Sequence, residues 1–127
     1  MTLIGIGTDI VEIARIARLL VGHPERFVAR VLHPNELATF ATVPNQAAWL
    51  AKRFATKEAV AKALGTGIGQ YAHLTGIETR HAPNGKPEIH LHGVTKETAE
   101  RLGVQRVEVS LADERDYAVA FVILTGQ

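Results

Sequence analysis

The 127-residue sequence contains no cysteine, one methionine and one tryptophan, and its 14 lysines and arginines nearly balance its 13 aspartates and glutamates. Without cysteine there is no disulfide, no thiolate metal site and no thiol nucleophile, a composition compatible with a reducing compartment. A formal net charge of +1 offers no whole-molecule attraction to nucleic acid or anionic membrane, so a charged partner has to be met by a local patch. No apolar run approaches the roughly 20 residues of a membrane span, and Met1-Thr2-Leu3-Ile4-Gly5 carries no basic leader. The expectation is a soluble, cytoplasmic chain with neither nucleic acid nor membrane among its partners. Repeats, low-complexity stretches and linkers are also missing, which argues a single domain over residues 1–127. That size is small for enclosing a site alone, and oligomerisation stays open as a way to do so.

What is present is the make-up of a globular protein, 46% apolar and 21% charged. Leu3 to Asp9 alternates aliphatic residues with Gly and Thr, as in a short strand whose glycines permit close backbone approach. Ile10, Ile13, Ala14, Ala17 and Leu20 then fall at helical spacing, with Gly22 and Pro24 as a stop. Short helices are predicted near Glu25 to Leu32 and Glu36 to Ala41, each bounded by a proline. Asn45 can cap a longer helix to about Leu64, along which Ala51, Ala55, Ala59 and Ala63 make a narrow stripe suited to close packing. Beyond Gly65-Thr66-Gly67-Ile68-Gly69, strands are predicted at Ile77 to Ala82 and Glu88 to His92, joined through the hairpin signal Asn84-Gly85. A helix at Val94 to Leu102 and two β-branched strands, Val104 to Leu111 and Tyr117 to Leu124, complete the chain. Helices gathered between strands argue α+β rather than alternating α/β.

Within the long helix Glu58 and Lys62 lie one turn apart on the same face, as do Arg53 and Lys57. Taken alone such pairs read as surface ion pairs of little energetic weight. The glycine-rich turn that follows adds to them, because the N–H groups of Gly65, Thr66 and Gly67 can converge on a phosphate. A helix C-terminus carries partial negative charge, so an anion there needs cations: Lys62, Lys57, Arg53 and a divalent ion on Glu58. The turn lacks the Gly-Lys-Ser/Thr ending of a P-loop and follows its helix, which argues against a mononucleotide P-loop. Magnesium needs only one or two carboxylates. Asp9, closing Gly5-Ile6-Gly7-Thr8-Asp9, is the natural partner of Glu58, and it equally suits the N-cap of the segment behind it. Glu12 reads as favouring that helix N-terminus more than as a ligand.

Gly5-Ile6-Gly7-Thr8-Asp9-Ile10-Val11-Glu12-Ile13, followed by Arg53-Phe54-Ala55-Thr56-Lys57-Glu58-Ala59-Val60-Ala61-Lys62-Ala63-Leu64-Gly65-Thr66-Gly67-Ile68-Gly69, resembles the 4′-phosphopantetheinyl transferase superfamily. The likeness is to its short, single-domain bacterial branch, the holo-acyl-carrier-protein synthases. Arg26-Phe27 with Arg30-Val31-Leu32, Gly85-Lys86-Pro87 and Val109-Ser110-Leu111-Ala112-Asp113 fall in the order that family leads one to expect, so it runs along nearly the whole chain. The resemblance implies an antiparallel sheet packed against a long helix and several short helices. It implies transfer of 4′-phosphopantetheine from coenzyme A to a serine of apo acyl carrier protein, releasing adenosine 3′,5′-bisphosphate, in support of fatty acid biosynthesis.

The same resemblance implies that Asp9 and Glu58 hold magnesium, that Lys62 completes the catalytic group by contacting the pyrophosphate, and that Gly65, Thr66 and Gly67 lie along it. Arg53 is implied to help bind the phosphorylated nucleotide. A homotrimer with active sites between subunits is implied, the turn carrying Lys86 and Pro87, together with Ser110, reaching coenzyme A from a neighbouring chain. Many members carry His where this chain has Asp113, so no acid–base role is carried over to that position. The residues do not single out the group that takes the serine proton.

Acyl carrier proteins are acidic, which calls for a basic face. Arg15 with Arg18, three apart, and Arg26 with Arg30, four apart, supply neighbouring pairs on helix surfaces; singly, each arginine reads as a solvated side chain. Of the six histidines, His90 and His92 share one face of a predicted strand. With no acidic or cysteine company in sequence they read as a solvated outer face, Ile89 and Leu91 pointing inward, rather than as metal ligands. Two other classes stay open: a noncatalytic coenzyme A binding module, which would bind without magnesium, and a phosphodiesterase, which would strip phosphopantetheine from a modified carrier.

Overall fold

Two antiparallel sheets and five α-helices make up the computed structural model, which describes residues 1–127. The chain runs β1 (Thr2–Glu12), α1 (Ile13–Leu19), α2 (Pro24–Val31), α3 (Pro34–Thr42), α4 (Gln46–Ala63) and a 3₁₀ turn (Leu74–Gly76). It continues through β2 (Ile77–His81), β3 (Pro87–Leu91), α5 (Gly93–Arg101), β4 (Arg106–Asp113) and β5 (Tyr117–Gly126). β5 is the centre of a three-stranded sheet ordered β1-β5-β4, and β2 and β3 form a separate hairpin. The α+β expectation and the antiparallel sheet against a long helix are both met.

One boundary differs instructively. β1 continues through Ile10, Val11 and Glu12, residues assigned above to a helix, and pairs them with Val119, Ala118 and Tyr117. Val11 is buried between an exposed Ile10 and an exposed Glu12, the period of two that a half-covered sheet imposes. The helical spacing of Ile10 and Ile13 was therefore incidental, and α1 starts only at Ile13. Asp9 consequently lies inside a strand, and its reading as a helix N-cap is excluded.

The long helix forms as its sequence dictates. The Asn45 side chain accepts from the Ala48 N–H at 3.1 Å, satisfying one of the free donors at the start of α4. At the other end Gly65, with φ +83, turns the chain into the left-handed region that favours glycine. The alanine stripe lies against the sheet: Ala51, Ala55 and Ala59 are fully buried, facing Val11, Ala118, Ala120, Val122 and Leu124 of the same core. Glycines on β1 complete this approach. A Cβ on Gly5 would stand 1.9 Å from the Ala63 carbonyl oxygen, and one on Gly7 would stand 2.0 Å from that of Ala59. Strand and helix backbones thus touch directly, which fixes where the neighbouring polar side chains meet.

Behind α4 lies a buried polar cluster. Glu36, 3% exposed, accepts from the His33 N–H at 3.0 Å, the Thr79 N–H at 3.1 Å and Lys57 Nζ at 2.7 Å. Arg53 Nε lies 3.3 Å from the same carboxylate, an ion pair without hydrogen-bond alignment. Lys57 is fully buried and also donates to the carbonyls of Leu74 and Ile77. Burial pushes its ammonium down while Glu36 opposes that shift. No helix is long and apolar enough to cross a membrane.

Candidate active site

The close packing of β1 on α4 brings together Asp9 and Lys62, 53 positions apart. Gly5 lies against Ala63 and Gly7 against Ala59, so the strand runs antiparallel to the helix. Two residues of strand advance about 6.6 Å, and one helical turn about 5.4 Å, which carries Asp9 to the level of the turn containing Glu58. Lys62 Nζ donates to Asp9 Oδ1 at 2.9 Å and to the Thr8 carbonyl at 3.0 Å. The ion pair that local spacing suggested, Lys62 with Glu58, gives way to one across the strand–helix seam.

Glu58 is half-buried beside this pair. Burial pushes its carboxyl above the usual range, Asp9 pushes it further in the same direction, and Lys62 and Arg15 oppose. Two carboxylates in mutual repulsion, with cations gathered round them, form a set of hard oxygen donors suited to a small divalent cation. Arg15, exposed on α1, therefore stands near the carboxylates, its guanidinium 5.7 Å from the Phe54 ring centroid. Arg18 is exposed and 3.4 Å from Glu12, and Arg26 and Arg30 are exposed on α2.

The glycine turn departs from the anion nest read from the sequence. The Gly65 N–H donates to the Lys62 carbonyl at 2.9 Å, and the N–H groups of Thr66 and Gly67 donate to that of Ala61 at 3.3 and 3.1 Å. All three close the orphan carbonyls of α4 in a Schellman-type ending, so they point inward rather than toward a ligand. Lys57 is likewise corrected: sealed against Glu36, it is no cation for an external anion.

A second group gathers at the opposite end of α4. A cavity of about 490 Å³ is lined by Trp49, Lys52, Arg53, His81, Gly85, Pro87, Val109, Ser110, Leu111 and Asp113. Arg53 enters it already held by Glu36, with its guanidinium 4.2 Å over the Trp49 ring. Asp113 lies 3.5 Å from Lys52. Lys86 is outside this cavity, in a neighbouring groove, with Nζ 3.6 Å from Glu108 Oε2. Arg53 and Lys62 are nine residues apart on one helix, about 13.5 Å along its axis. The sequence-predicted residues therefore fall into two clusters on a single chain, Asp9, Glu58 and Lys62 in one and Arg53, Pro87 and Ser110 in the other.

Residues 5–122 match the model of the 4′-phosphopantetheinyl transferase superfamily. The holo-[acyl-carrier-protein] synthase of Halorhodospira halophila is 51% identical over 120 residues, 94% of this chain and 95% of that protein. The chain belongs to this family. A crystal structure of the Neisseria meningitidis holo-[acyl-carrier-protein] synthase superposes with a TM-score of 0.92 at 41% identity, covering 98% of this chain and 99% of that one. The Helicobacter pylori synthase, solved in complex with coenzyme A, superposes with a TM-score of 0.83 at 32% identity, covering 94% of this chain and 99% of that one. In this chain the glycine-bearing strand laid on the alanine-striped helix sets Asp9 against Lys62.

Reasoning from sequence missed Glu36 and His81. Glu36 carried one signal, its place three residues after His33 at a helix start, where a carboxylate reaches back to the cap N–H. His81 carried none, because the chain returns it to the cavity only through the β2–β3 hairpin. Sequence also misplaced His92. It lies beyond β3, half-buried, with Nε2 2.8 Å from Glu78 Oε1 and its ring stacked on His33, so it is not part of a solvated outer face.

Proposed function

We propose that the chain transfers 4′-phosphopantetheine from coenzyme A to a serine of apo acyl carrier protein, residues 1–127 acting as one transferase domain. The serine hydroxyl gives up its proton as its oxygen forms a bond to the β-phosphorus, the bond from that phosphorus to the bridging oxygen breaks, and adenosine 3′,5′-bisphosphate leaves. The observation that carries this reading is Asp9 held by Lys62 beside a Glu58 whose carboxyl is pushed up. A carboxylate pair of that kind fits magnesium, with Asp9 and Glu58 as its protein ligands. Bound there, the ion supplies Lewis-acid charge neutralisation on the pyrophosphate. Lys62, reaching the same point from α4, binds a pyrophosphate oxygen and holds it in line for displacement. Gly65, Thr66 and Gly67 shape the surface along which the pyrophosphate lies.

Arg53, Pro87 and Ser110, with Lys86 at the rim, take the phosphorylated nucleotide. Because Arg53 stands about 13.5 Å along α4 from Lys62, the two clusters serve one substrate when they come from different chains. The outer face of the three-stranded sheet supports such an assembly. Ile6 (58%), Ile10 (64%), Val119 (37%), Phe121 (44%) and Tyr117 (50%) are exposed side by side, an apolar strip more suited to a subunit contact than to water. A homotrimer is the assembly we expect, read by light scattering. Arg15, Arg18, Arg26 and Arg30 offer a basic face to an acidic carrier protein, and Arg15 links that face to Glu58.

Intact-mass measurement tests the reaction. Apo carrier protein incubated with coenzyme A, magnesium and this chain should gain the mass of one phosphopantetheine group. A carrier that gains nothing while coenzyme A still binds would favour a binding module, and a holo carrier that loses the group would favour a phosphodiesterase.

A further inference from the structure

We propose that His33, Glu78 and His92 form a second cation site, separate from the carboxylate pair, that takes a transition ion of the zinc class. The candidate ligand atoms of these three residues lie within 4.8 Å of one another. They come from three elements: His33 from the N-cap of α3, Glu78 from β2, and His92 from the residue before α5. His92 Nε2 is 2.8 Å and His33 Nδ1 is 3.9 Å from the same oxygen, Glu78 Oε1. The two imidazoles stack with ring centroids 4.2 Å apart, so both already face one carboxylate.

Two imidazoles and one carboxylate are the ligands that borderline ions such as zinc prefer, in contrast to the all-oxygen pair Asp9 and Glu58. Metal–ligand bonds of about 2.0–2.1 Å in a tetrahedral site set ligand atoms roughly 3.3 Å apart. Closing the present spacings on an ion thus takes side-chain shifts of about 1 Å. Glu78 is 3% exposed, which fixes the carboxylate, whereas the His92 side chain is 35% exposed and leaves a path and a fourth position open to solvent.

The ion has competitors. Arg80 grips Glu78 with Nε on Oε2 at 2.8 Å and Nη2 on Oε1 at 3.0 Å, and Asn35 Nδ2 approaches Oε1 at 3.4 Å. The Asn35 N–H also donates to His33 Nδ1 at 3.0 Å. A bound ion displaces Arg80 Nη2 and that capping bond, while Arg80 Nε keeps Oε2. Occupancy would pin α3, β2 and the start of α5 together. Glu36, one turn along α3 from His33, holds Lys57 of α4, so the site braces the scaffold behind the catalytic helix and takes no part in its chemistry. It stands independently of the transferase reading.

Cobalt(II) is the probe, since it takes zinc sites and shows visible bands whose intensity reports tetrahedral geometry. The whole chain is titrated with cobalt in excess magnesium, which saturates the carboxylate pair. One cobalt per chain with tetrahedral-intensity bands is expected. His33→Ser, which keeps a capping hydroxyl, and His92→Gln, which keeps a donor toward Glu78, should each weaken binding at least roughly tenfold. Glu58→Ala should leave the bands in place, and Arg80→Gln should tighten binding by removing the competing fork. Absence of cobalt binding, bands that survive both histidine variants, or bands lost in Glu58→Ala would overturn the site. Should a histidine variant lose the wild-type circular dichroism spectrum, Arg80→Gln decides: tighter binding supports the site and unchanged binding overturns it.

Discussion

Lys62 spans the seam between α4 and β1 to donate to Asp9 Oδ1 at 2.9 Å, and half of its side chain remains exposed. The lysine thus stands where two carboxylates need a cation, yet it keeps the freedom to turn toward a substrate phosphate. Lys62→Ala is expected to lower kcat/KM for coenzyme A about 100-fold, with little change in stability because an exposed pair contributes about 0–1 kcal/mol. Steady-state kinetics beside a urea melt separates the two.

The glycine strand makes a sharper stability prediction. Gly7→Ala sets a Cβ 2.0 Å from the Ala59 carbonyl oxygen, where both neighbours are backbone and neither can yield alone. A loss of about 3 kcal/mol or more is expected. Gly67→Ala, with φ +65 and open space around it, should cost about 1 kcal/mol. Equal losses in denaturant titrations would contradict the direct contact of strand and helix.

Lys57→Met should destabilise more than any surface lysine change. It strands Glu36 with a poorly aligned Arg53 and leaves the Leu74 and Ile77 carbonyls without their donor. Breaking a buried pair in this way costs about 3–5 kcal/mol, and a chemical melt reads it directly.

Acid stability should depend on Glu78. The Arg80 hydrogen bonds hold its carboxyl well down, at about 2, with His92 and Asn35 assisting against its burial. A folded pKa below the unfolded value near 4.5 means that the stabilisation is complete above that pH and is lost as pH falls toward about 2. The amount is on the order of 2–3 kcal/mol, allowing for the solvent around Arg80. In the presence of a chelator, Glu78→Gln should remove this pH dependence from the acid limb of the unfolding curve.

Nucleotide binding should take up a proton. Burial pushes His81 down, and Arg53 and Lys52 add to that shift. A phosphate entering the same cavity offsets those cations and raises the imidazole, so adenosine 3′,5′-bisphosphate should bind more tightly as pH falls from about 7 to about 5.5. Calorimetry in two buffers of different ionisation enthalpy measures the uptake, and His81→Gln should abolish it.

Much of this architecture is local and was readable as such. The Asn45 cap, the alanine stripe and the Gly65 stop define α4 through neighbours within a few residues, and α4 is where they place it. Ile10 to Glu12 was not readable, because its conformation is decided by β5, which arrives more than 100 residues later. The pairing of Asp9 with Lys62 depends on two glycines against two alanines, legible as small residues but not as a contact. Glu36 and Lys57 look like surface charges until their partners, brought from β2 and the 3₁₀ turn, bury them. The glycine turn was misread for a related reason: whether its amides face a ligand or a helix end is set by hydrogen bonds that composition does not specify.

The proposed transfer calls for Asp9 and Glu58 to hold one divalent ion jointly, and calorimetric titration with magnesium in the presence of coenzyme A measures that directly. One ion per chain is predicted for the wild-type protein, with binding lost in folded Asp9→Ala and in folded Glu58→Ala. Magnesium binding that persists unchanged in both variants would contradict it.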